Sequence, residues 1–149
     1  MNFNKIILLG IKPKYAEDIL KGKKKWEYRR RPPIIDKPTL MALYASEEVK
    51  AIVGMCLVTK ILREPIDSLI KLTVSETTST EEGLKEYFKN LSLCSALRVE
   101  KPLRFEMKLN EIRKITPRFF APQNFYYLKK DGTYQQLFAV LEKNAYNLY

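Results

Sequence analysis

Gly22-Lys23-Lys24-Lys25-Trp26-Glu27-Tyr28-Arg29, in the pattern G-x-K-x-x-E-x-R, brings an amine, a carboxylate and a guanidinium together within eight residues. Lys24 and Arg29 are groups that grip a phosphate or a base edge, and Glu27 can orient Arg29 or accept from an exocyclic amine. From Lys21 to Arg31 there are seven basic residues against the single acid Glu27, and Lys12 and Lys14 lie just upstream. Charge this concentrated faces phosphate, or else it is a solvated edge strand whose Glu–Arg pair is worth little.

Strand alternation places Lys25, Glu27 and Arg29 on one face and Trp26, Tyr28 and Arg30 on the other; Lys24 joins Glu27 only if it precedes the strand or sits on a bulge, and two residues past the Gly22 cap the former is expected. Trp26 and Tyr28 read either as a platform for stacked bases or as the core side of that strand. Tyr44-Ala45-Ser46 is expected to end a strand ahead of a turn or single helical turn, where backbone amides bind anions or Ser46 caps. In Ala121-Pro122-Gln123-Asn124-Phe125-Tyr126-Tyr127, Gln123 or Asn124 can read a base edge while the aromatics stack or pack. Glu76, Glu81 and Glu82 read as helix-dipole partners and not as a metal site. There is no P-loop, no G-x-G-x-x-G and no metal-spaced carboxylate motif, so no metal and no cofactor are expected.

The 149 residues include no histidine. That removes His-based acid–base catalysis, Ser-His-Asp and Cys-His nucleophiles, and the common catalytic zinc sites. Cys56 and Cys94 are too few and too far apart for a zinc knot or disulfide framework; they read as two buried thiols, a single disulfide being the alternative. A formal charge of +10 and a pI near 9.6 point to a polyanionic partner. The apolar stretch Ile6 to Ile11 falls short of the ~20 residues of a membrane helix. It also lacks a cleavage site, so no signal peptide and no membrane partner are expected, and the expected compartment is the cytoplasm.

The elements that must position these groups belong to one expected domain over residues 1–149. Lys5 to Ile11 reads as a buried strand, and Pro13 to Leu20 as a helix ended by Gly22. Lys24 to Arg30 reads as a strand stopped by Pro32-Pro33. Thr39 to Tyr44 and Ala51 to Leu62 follow as strands, with Gly54 as a bulge, then helices over Pro65 to Leu72 and Thr80 to Asn90. Cys94 to Lys101 alternates, Pro102 interrupts it, and Arg104 to Leu109 resumes extended structure. Leu109 to Ile115 is a short helix and Phe125 to Lys129 a final strand. Tyr134, Leu137, Phe138, Leu141 and Ala145 mark a C-terminal helical extension over about residues 130–149. Strands and helices without regular alternation predict an α+β domain built on a small mixed β-barrel with flanking helices.

Taken together, these pieces resemble the ASCH domain, a branch of the PUA-like superfamily. The resemblance rests on Ile-Leu-Leu-Gly-Ile-Lys-Pro-Lys-Tyr-Ala-Glu-Asp-Ile-Leu at 7–20 and the block Gly22 to Arg29. Leu-Tyr-Ala-Ser at 43–46, Ile-Val-Gly at 52–54, Glu-Tyr-Phe at 86–88 and Pro-Gln-Asn-Phe at 122–125 continue it. It implies a PUA-like barrel with a cleft near the glycine-lysine block, in a family regarded as RNA-binding or RNA-metabolising. One branch deacetylates 4-acetylcytidine with an activating lysine, a threonine nucleophile three residues on and a distant glutamate; others are described as ribonucleases. Lys24 matches that lysine and Arg29 the motif arginine, but Glu27 stands in the threonine's place, where a carboxylate is a poor acyl acceptor. Glu76 and Glu106 are the candidates for the distant glutamate.

The expected function is therefore binding of RNA or a nucleotide. Lys12, Lys23, Lys24, Lys25, Arg29, Arg30, Tyr44, Ser46 and Gln123 would line a basic cleft that reads one unstacked base. The alternative is a small hydrolase acting on acetylated cytosine or on RNA, with Lys24, Glu27 and Arg29 catalytic and Glu27 a general base on water. A third reading is a basic face that docks an acidic protein.

Overall fold

The computed structural model describes residues 3–146. The apolar run Lys5–Ile11 forms strand β1, and Pro13 opens helix α1 (Pro13–Leu20), where its missing N–H costs nothing. Gly22, at φ 76°, turns the chain out of α1 in the left-handed conformation that a side chain would strain. Then follow β2 (Trp26–Arg29), β3 (Thr39–Ala45), β4 (Ala51–Glu64), α2 (Ile66–Thr73) and α3 (Glu81–Tyr87). The chain continues through β5 (Cys94–Lys108), α4 (Leu109–Ile115), β6 (Phe125–Lys129) and α5 (Gln135–Ala145). The Thr80 hydroxyl caps α3 by accepting from the Gly83 N–H at 3.0 Å.

The strands form one six-stranded sheet in the order β2-β5-β4-β3-β1-β6. Only β1 and β3 run parallel. The α+β class stands, but the barrel is not closed: β2 and β6 are sheet edges with no ladder between them. Side chains join the two edges instead. Arg29 of β2 reaches Asn124 just ahead of β6, and the Tyr127 hydroxyl of β6 accepts from the Ile34 N–H in the β2–β3 connection.

One local expectation needs correction. β5 is not broken at Pro102: Lys101 takes φ 51°, and the pairing slips there from Met55–Leu103 to Leu57–Glu100. One extra β5 residue is looped out as a bulge, where a proline's missing N–H is tolerated. Of the turn or single helical turn expected after Ala45, residues 46–49 form the turn, with Glu47 and Lys50 both in left-handed backbone, at φ 61° and 48°.

Both faces of the sheet are covered. On one, Leu8, Leu40, Tyr44 and Ile52 pack with Ile112 of α4 and with Leu137, Phe138 and Leu141 of α5. On the other, Ile7, Leu9, Met41, Leu43, Cys56 and Leu97 pack beneath Ala16 and Ile19 of α1. A third cluster joins Trp26 and Tyr28 to Leu69 and Ile70 of α2, Leu84 of α3 and Phe88. Trp26 and Tyr28 are thus core residues and offer no surface for stacking. Cys56 and Cys94 are both free, buried thiols.

Candidate functional site

The chain leaves α1 tightly wound, with the Lys23 and Lys24 amides both donating to the Asp18 carbonyl at 2.9 and 3.0 Å. This delivers Lys24 ahead of β2, turned inward and 3 % exposed, while Lys23 and Lys25 stay in solvent. The Lys24 Nζ lies 3.1 Å from Glu27 Oε1 and 5.1 Å from the ring centres of both Tyr15 and Tyr28. Arg29 holds the other carboxylate oxygen, with Nη2 2.7 Å and Nε 2.9 Å from Glu27 Oε2. Its remaining donors cross the open edge: Nη1 to Asn124 Oδ1 at 3.0 Å and Nη2 to the Gly10 carbonyl at 2.9 Å. Asn124 in turn donates to the Arg31 carbonyl at 3.3 Å, and its own carbonyl accepts from the Gly10 N–H at 2.8 Å.

Burial pushes the Glu27 carboxyl up, yet the Lys24 and Arg29 cations outweigh it and hold Glu27 below its ordinary value of 4.5. Both carboxylate oxygens are occupied by cations. A carboxylate so held is a weak proton acceptor, so the arrangement opposes Glu27 as a general base. The Cys56 thiol lies within the field of the same carboxylate, and burial first and Glu27 second push it up, which leaves it inert as a nucleophile.

A groove of about 310 Å³ opens beside this network, bordered by Gly22, Lys24, Lys25, Arg98, Lys101 and Pro102. Arg98 is anchored there by Glu76 at 2.9 Å and lies 5.2 Å from the Trp26 ring centre. The arrangement is a basic rim over a buried ion network, suited to holding an anion.

The structure gathers some of the expected site residues and separates others. Lys24, Glu27 and Arg29 form one cluster, with Lys25 at its groove. Lys12 and Lys23 are exposed. Arg30 is engaged elsewhere, its Nη1 donating to the Tyr87 and Lys89 carbonyls at 2.8 and 3.1 Å. Ser46 caps no helix; its N–H and hydroxyl both donate to the Ile11 carbonyl, at 3.0 and 3.3 Å. Tyr44 lies on the opposite sheet face from Glu27, buried 5.9 Å from Phe119 between ring centres. Gln123 is exposed, and it is its neighbour Asn124 that meets Arg29. Glu76 is spent on Arg98, and Glu106 borders a separate groove beside the Glu17–Arg104 ion pair. Reasoning from spacing missed Gly10 and Tyr15; the only signal for the first is a glycine inside an otherwise bulky strand.

That glycine is needed for close approach: a Cβ on Gly10 would lie 2.3 Å from the Pro122 carbonyl oxygen. Gly10→Ala is expected to push the 122–124 segment off β1, slacken the Arg29 contacts and destabilise the protein by about 1–3 kcal/mol. A urea midpoint equal to wild type would show that the approach is not needed.

The chain matches the family model of the ASCH domain over residues 9–103. It belongs to the ASCH domain family. The ASCH domain-containing ribonuclease of Zymomonas mobilis subsp. mobilis is 28% identical over 128 residues, which cover 85% of this ASCH protein and 86% of the relative. The crystal structure of ASCH from Zymomonas mobilis superposes with a TM-score of 0.81 at 24% identity, covering 91% of this chain and 94% of that one. A serine-to-alanine variant of the same protein gives 0.82 at 23% identity over 95% and 99%. These establish a shared PUA-like fold. Asn124, the partner of Arg29, lies beyond the span of the ASCH model. No helix among the described residues is long and apolar enough to cross a membrane, and none of their His, Cys, Asp and Glu residues form a group of three or more that could hold a metal ion.

Proposed function

We propose that this ASCH protein binds single-stranded RNA in the groove beside Lys24, with a phosphate on the basic rim and an unstacked base within it. The observation that carries the reading is the buried Lys24–Glu27–Arg29 network under a groove bordered by Lys25, Arg98 and Lys101. Buried charges this well paired cost less to keep rigid, and a rigid floor with exposed cations above it suits a polyanion. The +10 charge supports the same class of partner, and a cytoplasmic setting goes with it.

A second reading, cleavage of the bound RNA, is favoured by the 28% identical relative named as a ribonuclease. Deacetylation of cytosine through Glu27 is disfavoured by the two cations that hold its carboxylate.

Anisotropy of a labelled mixed-sequence RNA tests the binding. Each phosphate neutralised on a single strand contributes about −0.7 to the log–log salt slope. With the four exposed cations Lys12, Lys23, Lys25 and Lys101 engaged, affinity is expected to fall about fiftyfold between roughly 50 and 200 mM salt. Changing Lys23 and Lys25 together to serine should flatten the slope by about 1.4. A slope near zero in the wild type would sink the proposal. Mass spectrometry of the same RNA after incubation then separates a binder, which leaves it intact, from a nuclease.

A further inference from the structure

The loop between α4 and β6 holds an exposed aromatic ring that the groove does not use. Phe120 is 58 % exposed, although its neighbour Phe119 is buried and fills the core below. The ring leans on Tyr126, 4.9 Å away between centres, with Tyr134 at 6.3 Å. The backbone that presents it is tied at three consecutive carbonyls. The Tyr134 hydroxyl donates to Arg118 at 2.9 Å, Arg113 Nε to Phe119 at 3.3 Å, and the Tyr126 hydroxyl to Phe120 at 2.7 Å. Such a ring has little conformational freedom left to lose on binding.

The surroundings are cationic. Arg113 and Lys114 close the last turn of α4, Arg118 follows, and all three are exposed. Among the described residues none of the three lies in an ion pair. An exposed aromatic on a tethered loop, with the exposed cations Lys114 and Arg118 close to it in the chain, is complementary to an unstacked base with its flanking phosphates. An apolar protein surface would leave those cations without partners, which sets it aside as the occupant.

Resting on the RNA-binding reading above, we infer that Phe120, Arg118 and Lys114 form a second RNA subsite, with Phe120 stacking one base. It belongs to the sheet face that carries α4 and α5, whereas Lys24 and Glu27 belong to the other. A strand long enough to pass around the sheet edge engages both.

The experiment is anisotropy with a labelled single-stranded RNA, using the full chain. Phe120→Ala is expected to weaken binding about tenfold with an unchanged salt slope, because a ring and no charge is lost. Phe120→Trp should keep the affinity and gain an emission that RNA quenches, beyond the signal of buried Trp26. Lys114→Ser with Arg118→Ser should instead lower the slope by about 1.4. If the wild type binds RNA with a steep salt slope and Phe120→Ala binds equally well, the subsite is wrong and the groove proposal survives. If the wild type shows no salt-sensitive binding, both fall. A Phe120→Ala defect confined to polyglutamate, with RNA binding intact, overturns the subsite in favour of a protein partner.

Discussion

A chain ended after Lys130 is expected not to fold cooperatively. α5 lies outside the ASCH model's span, yet Leu137, Phe138 and Leu141 are at most 1 % exposed and belong to the cluster that also holds Leu8, Leu40 and Ile52 of the sheet. Burying each of these three side chains contributes about 1.5–3 kcal/mol. Together they approach the roughly 5–15 kcal/mol that holds a whole domain folded. Removing the helix would also expose the sheet face beneath it. Circular dichroism of the truncated chain should show no sigmoidal melt, and Leu137→Ala alone should cost about 2–5 kcal/mol. A cooperative melt of the truncated chain within a few degrees of full length would make α5 dispensable.

Glu27→Ala should cost about 3–5 kcal/mol, because it strands the buried Lys24 and the largely buried Arg29, neither of which pairs with another carboxylate among the described residues. The surface pair Glu81–Lys85, half exposed at both ends, serves as the contrast: Glu81→Ala should change stability by under about 1 kcal/mol. The pH dependence follows from the same residue. Glu27 is held below 4.5 in the folded protein, so its contribution is fully present above that value. It is lost as pH falls below 4.5 and through the folded value. Urea midpoints measured downward from about pH 5 should therefore drop more steeply for wild type than for Glu27→Gln. Parallel curves would place the acid sensitivity elsewhere.

Much of this fold was legible because local rules and tertiary demands agree. Lys5–Ile11 and Phe125–Lys129 are strands by their apolar and aromatic content, and Pro13 and Gly22 bracket α1 by backbone constraint alone. Lys24 also lies ahead of its strand, as its distance from Gly22 suggests. What resisted was non-local. The bond from Arg29 to Asn124 spans 95 residues, and nothing in the spacing of either marks the other. Ser46 and Tyr44 have types that suit a cleft, but the left-handed turn at Glu47 and the alternation along β3 send them elsewhere. Pro102 signals a break, and only the pairing with β4 reveals that a bulge absorbs it.

The open sheet has a consequence for solubility. Unpaired strand edges invite another chain to add on, and aggregation begins there. In this protein the two outermost strands, β2 and β6, four and five residues long, face one another. Arg29 and the β2–β3 connection occupy the gap between them. An incoming strand would have to displace the partly buried Arg29 guanidinium before making its first backbone bond there. Strand addition at β2 and β6 is thus opposed without a closed barrel.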